Sequence, residues 1–189
     1  LQAAGTCVAG VVAPGQWAPR PEGQPGGKHG FDGTGRFEKL GIDNVLLPQG
    51  TRIEFARRRD LAAKSKAFTE GTQAKAAKLG WAISDTAIAQ VNSHFATLAK
   101  QAANETRLAP HAVLVVDELG RLELLRGCGL TNALAILDAG PTPQFPHAIA
   151  VVRETLLDEA RRRFEPRWGK ATVIGPDDAA RNLVLETAR

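Results

Sequence analysis

The chain has 189 residues, 43% hydrophobic and 23% charged, with a formal net charge of +4. That length allows a sizeable core, and no run approaches the roughly 18 consecutive apolar residues that a membrane-spanning helix requires. The small positive charge favours anionic ligands only weakly, and the two cysteines, Cys7 and Cys128, form no CxxC pair, so a reduced, cytoplasmic protein without a secretory leader is expected.

The chain opens on Leu1 and contains no methionine. Leu1–Gly5 (LQAAG) reads as the tail of a helix stopped by Gly5, so a natural N-terminus upstream is expected. Thr6–Ala13 is a valine-rich apolar run and reads as a buried strand. From Pro14 to Gly35 glycine and proline dominate without periodicity, which predicts a long surface loop. Val45–Leu47 and Arg52–Phe55 flank the turn signal Pro48-Gln49-Gly50 and predict a β-hairpin. Arg57–Gly80 is basic and alanine-rich with no clear apolar face. Ser84 or Asp85 caps a helix running to about Ala103, whose buried face carries Ile88, Val91, Phe95 and Leu98.

His111–Gly120 reads HAVLVVDELG, with Ala112–Val116 a continuous apolar strand. Leu130–Leu137 reads as a helix ending before Gly140-Pro141, and Ala148–Val152 as another apolar strand. Glu154–Phe164 is an amphipathic helix with Leu156, Leu157 and Ala160 inward. Ala171–Ile174 reads as a last short strand, and Pro176 opens a final helix with Asp177 and Asp178 in its first turn. Continuous apolar strands alternating with helices predict an α/β fold: a mostly parallel sheet with helices on both faces and an inserted hairpin. Ligands of such sheets sit at the C-terminal strand ends, here Pro14–Trp17, Asp117–Gly120 and Arg153.

A hydrophobic strand that delivers an aspartate at its end is the Walker B arrangement. The aspartate holds Mg²⁺, usually through water, and a glutamate directly after it can orient and polarise an attacking water. Asp117 and Glu118 stand in those places; the plain reading is a strand that turns polar at the surface. The continuation Asp117-Glu118-Leu119-Gly120-Arg121-Leu122-Glu123-Leu124 resembles the DE-(I/L/V)-G-x-(M/L)-E-L signature of a small nucleoside-triphosphatase family, a RecA-like branch of the P-loop NTPases. The order of Val8–Pro14, Gly30-Phe31, the Val45–Phe55 hairpin and the Ala148–Arg153 strand is similar to that family's.

The resemblance implies one RecA-like P-loop NTPase domain over residues 1–189, incomplete at its N-terminus, with a loop and hairpin insertion at about 14–60. It implies hydrolysis of ATP, GTP or a related nucleotide to the diphosphate and phosphate. In that reading Asp117 holds Mg²⁺, Glu118 activates water, Arg153 neutralises phosphate charge and Gly120 lies at the nucleotide. Glu123 anchors the loop after the strand or is a plain surface carboxylate. The chain departs from the family in two places. No G-x-x-x-x-G-K-[ST] motif occurs, so tight phosphate binding is not expected from this chain alone. Pro14-Gly15-Gln16-Trp17 replaces the family's Thr and Glu after the first strand.

Two readings from other classes stand beside the enzyme. One is a nucleotide-sensing or protein-interaction module that keeps the fold without turnover. The other is a nucleic-acid-binding domain using Arg57–Arg59 and Arg161–Arg163, the second cluster interleaved with Phe164 and Trp168; against it stands a solvated helix face with both aromatics inward. Gly23–Gly35 lacks a preceding buried strand and a following helix, so it reads as a loop rather than a phosphate cradle. His29, His94, His111 and His147 are scattered, which argues against a zinc site.

Overall fold

A computed structural model of the chain describes residues 1–20, 36–65, 68–77, 79–103, 112–175 and 177–187. The Gly23–Gly35 loop, His29, His111 and Pro176 lie outside the described residues. Gln2–Ala4 makes one 3₁₀ turn that ends at Gly5, as the sequence predicts. The valine-rich run becomes strand β1 (Val8–Val12). Strands β2 (Gly15–Pro19), β3 (Phe37–Leu47) and β4 (Thr51–Arg58) follow, and β3 and β4 form the expected hairpin around Pro48–Gly50. Two short helices, α1 (Arg59–Ala62) and α2 (Thr72–Ala76), lead to strand β5 (Trp81–Ile83).

Helix α3 (Asp85–Ala103) starts where Ser84 caps it. The Ser84 hydroxyl accepts the Ala87 N–H at 3.3 Å, and the Ser84 carbonyl accepts the Ile88 N–H. Its residues Ile88, Val91, Phe95 and Leu98 are all buried, which stabilises the fold by about 2 kcal/mol each. Strand β6 (Val113–Leu119) carries the Asp-Glu pair. Helices α4 (Arg121–Arg126) and α5 (Thr131–Ala139) then lead to strand β7 (His147–Val152), α6 (Leu157–Trp168) and α7 (Asp178–Thr187).

The strands form one sheet in the order β5-β4-β3-β1-β6-β7, with β2 also paired to β3. Pairs β1–β6 and β6–β7 are parallel; β1–β3, β2–β3, β3–β4 and β4–β5 are antiparallel. This overturns the expected mostly parallel, RecA-like sheet: the sheet is mixed and curled into a half-barrel. A parallel neighbour needs a crossover of a dozen or more residues, usually helical, whereas antiparallel neighbours join by tight turns. Only α3 and the α4–α5 pair supply such crossovers directly before a parallel strand. From β3 to β5 the described chain returns through a tight turn and two short helices, and these strands pair antiparallel.

The large core joins Ala9, Val11, Leu114 and Val116 to the inner sides of α3, α5 and α6. Alternate residues on the same strands, Val8, Val113 and Val115, face the other way and meet Leu1, Val12, Leu47 and Ile149. Among the described residues no helix contributes to this second cluster. Three local readings also change. Residues 15–19, read as loop, are β2, because β3 is long enough to pair with both β1 and β2. Residues 81–83 are β5, a strand too short to show a period. Residues 171–174 form no strand and are exposed.

Candidate functional site

Strands β1, β6 and β7 bring their C-terminal ends to one side of the sheet. Val116 lies opposite Ala150, and Leu119 opposite Val152. The β6 strand therefore advances three residues while β7 advances two, which is a β-bulge. Glu118 occupies it with φ of +65°, the only non-glycine residue with positive φ among those described. Glutamate in this left-handed conformation costs on the order of 1 kcal/mol, and such strain concentrates at functional positions. The Glu118 side chain is exposed. The residue before it, Asp117, is half-buried, and its Oδ2 accepts the Ala13 N–H at 2.8 Å. The carboxylate is thereby tied to the end of β1, and among the described residues its Oδ1 makes no hydrogen bond.

After the bulge the chain turns into α4, with Gly120 at the helix cap. The Gly120 N–H donates to Glu123 Oε2 at 2.9 Å, and Glu123 Oε1 accepts the Leu130 N–H at 3.0 Å. Glu123 is only 4% exposed, so of its two sequence readings the anchor is the one the structure bears out. Burial pushes its carboxyl above the ordinary glutamate range, the two backbone N–H donors oppose that rise, and the nearby Glu118 charge adds to it. The Gly120 N–H is committed to this cap.

Arg153 directly follows Val152, whose register partner is Leu119, so it stands at the same end of the sheet as Asp117–Gly120. It is exposed, and among the described residues its guanidinium takes part in no ion pair. The structure thus brings Asp117, Glu118, Gly120 and Arg153 to one end of the sheet. Sequence reasoning missed the Ala13 N–H as partner of Asp117, because strand pairing across a hundred residues creates that contact.

The residues can be tested against a magnesium ion. Among those described, no three His, Cys, Asp or Glu side chains converge into a metal cage. Mg²⁺ retains several waters and binds through one or two carboxylates plus substrate phosphates. One half-buried carboxylate with an oxygen that has no partner among the described residues fits that mode, and Asp117 would be its holder. An open groove of about 570 Å³ lies elsewhere, between the β3–β4 hairpin and the start of α3, lined by Leu46, Arg52, Phe68 and Gln90 among others.

The arginine clusters are neutralised within the fold. Arg57 pairs with Glu54, Arg58 with Glu38 and Asp60, and Arg59 with Glu70. On α6, Arg161 pairs with Glu165, Arg162 with Glu159, and Arg163 with Asp138 through two hydrogen bonds of 2.7 and 2.8 Å. Phe164 is buried, and the Trp168 Nε1–H donates to the Leu137 carbonyl at 2.6 Å. Both aromatics face inward, and nothing here favours a polyanion surface. His94 is also structural: its Nε2–H donates to the Gly10 carbonyl at 3.1 Å. No protein-family model, curated protein or solved structure matches the chain.

Proposed function

We infer that the chain is a magnesium-dependent nucleoside-triphosphatase, acting on ATP or GTP at Asp117 and Glu118. The observation that carries this reading is the bulge at the end of β6. It places two consecutive acids at the meeting point of three parallel strand ends, one tied to a neighbouring backbone and the other free in a strained conformation. Asp117 would hold Mg²⁺, which supplies charge neutralisation on the phosphates when bound. Glu118 orients a water for attack on the γ-phosphorus and takes its proton while the bond to the β-phosphate oxygen breaks. Arg153 adds positive charge from the end of β7. Gly120 contributes closeness of approach rather than an N–H. The chain has no G-x-x-x-x-G-K-[ST] run, so slow turnover is expected. Both cysteines are free thiols, and among the described residues no helix is long and apolar enough to cross a membrane. Both facts support a cytoplasmic enzyme.

Phosphate release from ATP and GTP, with Mg²⁺ and with EDTA, tests the reading in the chain and its Glu118→Gln variant. Loss of the base is expected to lower the rate by about a hundredfold, and EDTA to abolish it. Equal rates for both proteins remove Glu118 from the mechanism. No release by the parent chain removes hydrolysis and leaves a nucleotide-binding module.

A further inference from the structure

The extension of β1 carries an aromatic residue that the proposed reaction has not used. Strands β1 and β2 run end to end along β3. Val12 lies opposite Val45, the Asp43 N–H donates to the Pro14 carbonyl at 3.0 Å, Gly15 lies opposite Ile42, and Trp17 opposite Lys39. The backbone from Ala13 to Trp17 is therefore extended and covers about 13 Å, at about 3.3 Å per residue. Ala13 is the residue whose N–H holds Asp117. Trp17 thus stands beyond the C-terminal end of β1, one nucleoside-and-phosphate-chain length from the carboxylates.

Trp17 is 45% exposed, although a side chain of this size and apolarity gains from burial. Its ring is nonetheless held in place. The Lys39 ammonium lies 5.9 Å from the centroid of the Trp17 ring and 6.0 Å from that of Trp81, braced between two indoles. The indole is laid back over Gly15: a Cβ there would stand 2.6 Å from Trp17 Nε1 and 2.8 Å from Lys39 Cε. Gly15 therefore lets the ring lean toward the Asp117 end of the strand.

The geometry points to Trp17, backed by Lys39, as the platform on which the base of a nucleoside triphosphate stacks while its phosphates reach Asp117 and Glu118. The assignment rests on the reading of those two acids as the phosphate end. An indole face accepts a base without hydrogen-bond readout, and a cation on the far side of the ring fixes the platform before the ligand arrives.

Calorimetric titration of the chain with MgATP and with magnesium tripolyphosphate tests this, alongside Trp17→Ala and Trp17→Phe variants checked for folding by circular dichroism. Trp17→Ala is expected to weaken ATP binding about tenfold and to leave tripolyphosphate, which has no base, within about twofold. Trp17→Phe keeps a ring and is expected to restore most of the affinity for ATP. Unchanged ATP binding in Trp17→Ala, equal losses for both ligands, or no ATP binding by the parent chain overturns the platform. Trp17-dependent ATP binding without phosphate release removes the hydrolytic reading alone. Phosphate release with a KM for ATP indifferent to Trp17→Ala removes the platform alone.

Discussion

Along β1, β6 and β7 the strands are apolar almost to their ends, whereas along β3 and β4, in the antiparallel half that also holds β2 and β5, charged side chains are interspersed with apolar ones. The first region has no ion pair within it among the described residues; the second is laced by Arg52–Asp43, Arg58–Glu38 and Arg57–Glu54. The difference follows from what each region faces. Strands β1 and β6 lie inside the sheet, are buried along most of their length and tolerate few charges, while β3 and β4 leave part of their length to water. Stability is therefore concentrated where β1 meets β6. Charge pairing in the other region chiefly fixes which strands lie side by side. The candidate chemistry sits at the end of the apolar region, and the aromatic platform begins the charged one.

The largest test of that contrast is at Gly10, in the middle of β1. Its φ is +120°, and a Cβ there would lie 2.0 Å from the Val115 carbonyl oxygen and 2.9 Å from its carbon. Neither neighbour can swing aside, because both are backbone. Gly10→Ala is expected to cost at least about 4 kcal/mol, read as loss of the cooperative urea transition. A cost under about 1 kcal/mol would mean that β1 and β6 can separate freely, and the contrast would fail.

An intermediate effect is expected from pH. His94 reaches from α3 to the Gly10 carbonyl and joins the helix layer to the same junction. Burial holds its imidazole below the ordinary histidine value, opposed by the carbonyls of Gly10 and Leu47. The unfolded chain therefore binds a proton before the folded one does. The stability from neutral His94 is complete above about pH 6.5 and is lost as pH falls through that value, by up to about 1.4 kcal/mol per pH unit. Urea midpoints at pH 7.5, 6.5 and 5.5 should fall in the parent chain and stay flatter in His94→Gln. Parallel curves for the two proteins would place the pH response elsewhere.

The smallest effect belongs to the antiparallel region. Arg58 bridges Glu38 on β3 and Asp60 on α1, both at 2.6 Å and both partly in water. Arg58→Met is expected to cost no more than about 1 kcal/mol, and less at high salt. A cost above about 3 kcal/mol, unaffected by salt, would show that this half depends on its ion pairs as the other depends on packing.

The same two regions differ in how far they could be read from sequence. The four apolar positions of α3, the run into Asp117 and the turn at Pro48–Gly50 carry their own periodicity or turn chemistry, so each appeared where expected. Strands β2 and β5 are five and three residues long and take their form only from β3 and β4. No local pattern marks them, and the antiparallel topology went unseen with them. At the candidate site Asp117, Glu118, Gly120 and Arg153 could be named from composition and the family resemblance. The positive φ of Glu118 could not, because glutamate gives no sign of a left-handed backbone. The exposure of Trp17 was hidden too, since the segment around it read as a loop.

Glu123 ties together two places that the chain separates. One oxygen holds the first amide after the bulge and the other holds the amide at the start of α5. The carboxylate works as a rigid clasp, so the backbone carrying Glu118 and the helix behind it form a single mechanical body. Amide hydrogens at Gly120 and Leu130 should therefore exchange with solvent at matched rates, and a nucleotide that moves the bulge would be felt at the head of α5.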